Sequence, residues 1–207
     1  MQQLEELYEA FQKVPAPKDI FGCPCCVDRK LVNRLKSCIP RNLKEPDLKI
    51  FAWKVLTTIQ FPSDDNIRYF APRLIQYEYE DNAHGLHIVF GKFERANFRT
   101  WPEPQRKAVE NYIAAFCEAC LGNGDNWQVI DTLHEAHKIF DDIGFLLSIL
   151  DAGLENSQIA VTQILEDYAD IVWGNEVKRE PHPQFKSWLE RQKCRDHLMD
   201  LWSGRST

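Results

Sequence analysis

The sequence predicts an all-α fold of about nine or ten helices, arranged as a single globular array of antiparallel helix pairs. Three observations carry that reading. Apolar residues recur at helical spacing along most of the chain. Clusters of Pro, Gly, Asn and Asp stop one helical pattern and open the next. No segment sustains strand-like alternation, apart from an ambiguous stretch at 86–90. Short connections imply antiparallel neighbours. A HEAT-like curved stack is the alternative, weakened by the lack of a fixed-period repeat. The 207 residues suit one helical domain, 1–207, with a Cys-rich, basic subregion at 1–45.

The elements follow in order. Leu4, Leu7, Tyr8 and Phe11 form one apolar stripe, and Val14-Pro15-Ala16-Pro17 stops that helix. Asp28 caps a short helix that holds Leu31 and Leu35 and ends at Pro40. Pro46 sits in the first turn of the next, whose buried face is Leu48, Phe51, Ala52, Val55, Leu56 and Ile59. Ser63-Asp64-Asp65 starts a helix that must break near residues 69–71, because Pro72 lacks an amide hydrogen. Residues 85–96 read as a helix with Leu86, Val89, Phe90 and Phe93 inward. Thr100-Trp101-Pro102-Glu103 has the capping-box pattern and opens a long helix, which Gly122-Asn123-Gly124-Asp125-Asn126 ends. Helical patterns resume at 127–140, 142–151, 156–173 and 183–202.

Charge narrows the function classes. The chain carries 25 basic and 31 acidic side chains, which speaks against a general nucleic-acid binder. Residues 1–60, however, hold 10 basic and 7 acidic side chains, and 29–44 hold six basic and no acidic ones. That stretch leaves open a small nucleic-acid-binding element at 23–44. No apolar run reaches the length of a membrane span, so no membrane association is expected. The first residues lack the basic and apolar regions of a secretory signal, and seven is an odd number of cysteines. Reduced thiols in a cytoplasm are the expectation.

Cys23-Pro24-Cys25-Cys26 is the most informative stretch. Cys23 and Cys26 have the spacing that points two thiolates at one ion, and zinc is the metal that such a turn suits. Cys25 is then the surplus thiol, and Cys38 is a candidate third ligand. The same thiols, placed before a helix N-terminus, would also suit a dithiol–disulfide cycle. Burial as small hydrophobes is the bland alternative. Cys117, Cys120 and Cys194 read as packing residues on helices. His134, His137 and Asp141 fall on one face of a continuous helix and form a second candidate metal set. Arg73, just after the proline break, would hydrogen-bond carbonyls freed there or bind an anion. No P-loop, G-x-S-x-G, H-E-x-x-H or dinucleotide fingerprint occurs, so no catalytic residue is named.

The Cys23–Cys26 turn, Leu56-Thr57-Thr58, Arg68-Tyr69-Phe70-Ala71-Pro72-Arg73-Leu74 and the helix led by Trp101 together resemble a group of functionally uncharacterised bacterial all-helical proteins. Those proteins join an early Cys-Pro-x-Cys turn to a Phe-x-Pro-Arg-Leu-like helix break. The resemblance covers roughly 15–121; Ile59-Gln60-Phe61 departs from it where that group has a glycine. It implies a shared role for Cys23, Cys26, Pro72 and Arg73 and supplies no catalytic residue. The expected function is an interaction or scaffold protein with a Cys-bound structural metal and a protein partner. A thiol-dependent redox sensor or a metal-dependent enzyme at the same cluster is the alternative.

Overall fold

A computed structural model describes residues 2–23, 25, 27–53, 59–60, 64–80, 85–156, 158–173 and 181–204. The fold is all-α, with twelve α-helical segments among these residues. Cα proximity divides the chain into two compact units, Met1–Ile113 and Ala114–Thr207.

The first unit opens with α1 (Gln2–Phe11), whose stripe buries Leu7 and Phe11. A two-residue strand β1 (Phe21–Gly22) precedes α2 (Arg29–Ser37). Asp28 caps α2 as its position predicts, accepting the amide of Lys30 at 2.9 Å. A 3₁₀ turn at Pro40–Asn42 leads to α3 (Glu45–Trp53), in which Leu48, Phe51 and Ala52 are fully buried. Val55 and Leu56, expected on that face, lie outside the described residues. Strand β2 (Ile59–Gln60) pairs antiparallel with β1, Phe21 opposite Gln60 and Gly22 opposite Ile59. The sequence shows no sign of this ladder, because two residues a side are too few for a period of two.

A 3₁₀ segment at Asp64–Phe70 passes into α4 (Ala71–Glu80), so the break expected before Pro72 is present. The proline falls in the first turn of α4, where its missing amide costs nothing. Helix α5 (Leu86–Arg95) buries Leu86, Val89, Phe90 and Phe93. The capping box at Thr100 does not form. Thr100 lies in a 3₁₀ turn (Phe98–Thr100), and its hydroxyl donates to the Asn97 carbonyl at 2.8 Å. The carbonyl of Pro102 instead accepts the first amides of α6 (Glu103–Gly122), from Gln105 and Arg106. Just before it, Trp101 is 2% exposed. Its ring meets Phe11, Phe93 and Phe98 at centroid distances of 5.8, 5.3 and 5.0 Å. Its indole N–H donates to the Ala96 carbonyl at 2.9 Å.

Lys92 is a buried cation on the inner face of α5, 2% exposed. Its ammonium donates to the carbonyls of Phe51, at 2.6 Å, and Ala52 in the last turn of α3. These are the carbonyls that a helix end leaves without an intrahelical partner. Burial pulls its pKa down from 10.5 to about 7, against the charge of Glu78, which raises it.

The second unit contains α7 (Trp127–Glu135), α8 (Gly144–Glu155), α9 (Ile159–Asp167), α10 (Ala169–Val172), α11 (Pro183–Leu189) and α12 (Gln192–Gly204). Three expected helices are shorter or divided. Helix α7 gives way to a 3₁₀ turn at Ala136–Lys138, where the His137 ring Nδ1 bonds the His134 carbonyl at 2.8 Å. The pattern at 156–173 divides at Tyr168. The pattern at 183–202 divides after Leu189 because the apolar register jumps. Phe185, Trp188 and Leu189 are buried, and the next core residues are Cys194 and Leu198. Five residues from Leu189 to Cys194 turn a helix well off its starting face. One carboxylate fastens the junction: Asp151 accepts the Trp188 indole at 3.1 Å and pairs with Arg191. At Gly153 a Cβ would stand 2.5 Å from Val161 Cγ2, so α8 and α9 meet backbone against side chain.

Candidate functional site: the N-terminal thiol turn

The site grows out of the β1–α2 connection. Gly22 ends β1 with its backbone pressed on α2; an added Cβ would lie 2.8 Å from Val32 Cγ2 and 3.0 Å from Val27 Cγ1. The Cys23 carbonyl accepts the Val27 amide at 2.9 Å, and Val27 is buried. The turn is therefore held at both ends, by the β ladder and by the Asp28 cap. Between them the sulfurs of Cys23 and Cys25 approach to 2.9 Å. Cys25 is exposed and Cys23 half-buried. Pro24 and Cys26 lie outside the described residues. Among the described residues Cys23 meets Cys25, the thiol that spacing leaves as surplus, and the expected pairing of Cys23 with Cys26 falls outside them.

Replacing Gly22 with alanine is expected to destabilise the first unit by about 1–3 kcal/mol, because Val32 and Val27 must give way. Urea unfolding checks this; an unchanged midpoint would show that the contact is slack.

The structure does not bring Cys38 to the turn. It caps the C-terminus of α2, a nine-residue helix, so roughly 13 Å of helix separates the two positions. Its thiol donates to the Ile39 carbonyl at 3.2 Å. Among the described residues, no group of three or more His, Cys, Asp and Glu side chains is placed to hold a metal ion. The His134, His137 and Asp141 set is corrected by the same finding. His134 Nε2 pairs with the Tyr168 hydroxyl, while the His137 ring lies 6.4 Å from that of His182. Asp141 falls beyond the 3₁₀ turn, so the single helix face that would align the three does not exist.

The remaining described thiols are packed. Cys117 is 1% exposed, and burial pushes its thiol up to about 12. Burial likewise raises Cys120 and Cys194 to about 11 each. The thiolate is the nucleophile and the metal ligand, so these three are chemically quiet at neutral pH.

Arg73 bonds a carbonyl of a neighbouring turn. Its Nε and Nη2 donate to the Leu43 carbonyl, each at 3.4 Å, tying the first turn of α4 to the end of the Pro40–Asn42 turn. The basic stretch 29–44 is partly neutralised within the chain. Arg34 makes a bidentate pair with Asp47 at 2.5 and 2.6 Å, Lys36 meets Asp19 at 3.6 Å, and Arg41 pairs with Glu5.

No protein-family model matches the chain, and neither a curated protein nor a solved structure does. Among the described residues, no helix is long and apolar enough to cross a membrane.

Proposed function

We propose that this is a thiol-responsive helical protein in which Cys23 and Cys25 interconvert between dithiol and disulfide. The observation that carries the reading is the 2.9 Å approach of the two sulfurs on a turn whose ends are anchored. Exposure of Cys25 gives an oxidant access, and burial keeps Cys117, Cys120 and Cys194 out of the exchange. The oxidant is a hydroperoxide. One thiolate attacks its terminal oxygen, the O–O bond breaks, and the alcohol leaves with a sulfenic acid formed on sulfur. The second thiolate then attacks that sulfur, and the hydroxyl leaves as water when protonated. Two thiols and one hydroperoxide thus become one disulfide, one alcohol and one water; a small thiol reverses the change by exchange. A reducing compartment such as the cytoplasm is where an exposed dithiol waits in the reduced state.

Reduced protein treated with hydrogen peroxide is expected to lose two hydrogens by mass and to yield a Cys23–Cys25 cross-link on peptide mapping. Dithiothreitol should restore it, and Cys23→Ser or Cys25→Ser should each abolish it. A dithiol that persists under peroxide, or a cross-link that omits either residue, defeats the proposal.

The density of thiols at the turn favours a second reading. Thiolates of Cys23, Cys25 and Cys26 would hold a structural zinc in an interaction protein that docks a protein partner. Stoichiometric zinc in untagged protein, lost on Cys23→Ser, would select it. The ion pairs of Arg34, Lys36 and Arg41 weigh against the nucleic-acid reading of 23–44.

A further inference from the structure

A pocket of about 340 Å³ opens where three elements of the first unit meet. Tyr8, Phe11 and Gln12 come from the end of α1, Pro40 and Arg41 from the 3₁₀ turn before α3, and Tyr69 and Pro72 from the break into α4. The volume lies near the lower end of the range for small-molecule sites, about 300–1,000 Å³. Neither Cys23 nor Cys25 lines it.

The walls are flat, made of three aromatic rings and two proline rings. They are fixed before any ligand arrives. The Tyr8 hydroxyl donates to Gln76 Oε1 at 2.7 Å, and the Arg41 guanidinium lies over the Tyr8 ring, 4.7 Å from its centroid. Phe11 is buried and meets the Trp101 ring edge to face. Such walls take the face of a planar ring.

Two polar groups of the lining are not used by the fold. Among the described residues, neither the Tyr69 hydroxyl nor the Gln12 carboxamide has a hydrogen-bond partner. Burial raises the pKa of Tyr69, so its hydroxyl stays protonated at neutral pH and can donate or accept. A carboxamide sets a donor beside an acceptor, the complement of a nucleobase edge. Arg41 is already paired with Glu5, so the lining suits a neutral ring better than a phosphate. From these walls and these two free groups we infer that the pocket binds a purine-like base. The base stacks among the aromatic rings, and Gln12 and Tyr69 hold its edge.

The probe is 2-aminopurine, whose fluorescence is quenched by stacking, titrated with the full chain. Saturable one-to-one quenching is expected, and adenine should reverse it. Indole matches the ring size but lacks the paired donor and acceptor, so it should compete about tenfold less well. Tyr69→Phe and Gln12→Met each remove one hydrogen bond and keep the side-chain bulk. Each should weaken binding about fivefold. Adenosine competing as well as adenine supports a nucleoside with its sugar outside the pocket; adenosine failing supports a free base. Absence of saturable quenching overturns the assignment. So do variants that both bind as the parent does, or indole competing as well as adenine, which would mean that only apolar surface is read. Gln12 is exposed and Tyr69 half-buried, and circular dichroism of each variant checks that the fold persists.

Discussion

Substituting Trp101 with alanine is expected to cost roughly 3–5 kcal/mol, the range for deleting a large buried aromatic side chain. The residue is 2% exposed and stands where three elements meet. Phe11 comes from α1, Phe93 from α5 and Phe98 from the 3₁₀ turn that follows α5. Alanine would leave a cavity bordered by all three and would orphan the Ala96 carbonyl that the indole satisfies. Against a total stability of about 5–15 kcal/mol, that is a large fraction. Trp101→Phe separates the two contributions. It keeps most of the ring contacts and loses the hydrogen bond, for about 1 kcal/mol. Urea unfolding followed by far-UV circular dichroism measures both. If the two variants unfold at the same midpoint, the ring contacts do not hold the elements together.

Lys92 sets a dependence of stability on pH. Its folded pKa of about 7 lies below the ordinary 10.5, so between these values the unfolded chain binds the proton and the folded chain does not. Stability therefore rises with pH across that window, because the unfolded state holds more protons. The increment from pH 7 to pH 9 is about 2 kcal/mol, at up to roughly 1.4 kcal/mol per unit. Lys92→Met keeps the length of the side chain and removes the titration, so its stability should lack this rise. The stability of the parent relative to the variant must then increase with pH. Two parallel profiles would show that the ammonium stays charged, held by the Phe51 and Ala52 carbonyls. At pH 6, where the parent is charged, the methionine variant escapes the cost of burying the ammonium, so the parent's advantage is smallest there. Set against that gain, the variant leaves the end of α3 without donors at every pH, at about 1–3 kcal/mol.

The helices were legible because their stripes are strong. Leu7 and Phe11, or Val89, Phe90 and Phe93, repeat at a spacing that only a helix buries on one side. The stop after α6 was legible for a backbone reason: Gly124 takes φ +80°, open to glycine, and the Asp125 amide returns to the Cys120 carbonyl at 2.9 Å. Where the reading fell short, long-range contacts decide. The capping box at Thr100 lost to a turn that places Trp101 in the core. Lys92 lies three residues after Val89 on a buried face, and the pattern did not reveal that carbonyls of α3 await it. In the thiol turn the cluster was visible, and the approach of Cys23 to Cys25 was not, since it depends on the backbone path between the β ladder and the Asp28 cap.

The tight meeting of α8 and α9 at Gly153 also bears on how this chain can diverge. A side chain at 153 would collide with Val161, and Gln158 Oε1 stands 2.9 Å from the same point. The two positions are therefore coupled: 153 can grow only when 161 shrinks and the Gln158 side chain turns aside. In descendants of this sequence, substitutions at 153 and 161 would travel as a pair. They would leave a correlated trace of the packing where single-site variation would look merely forbidden.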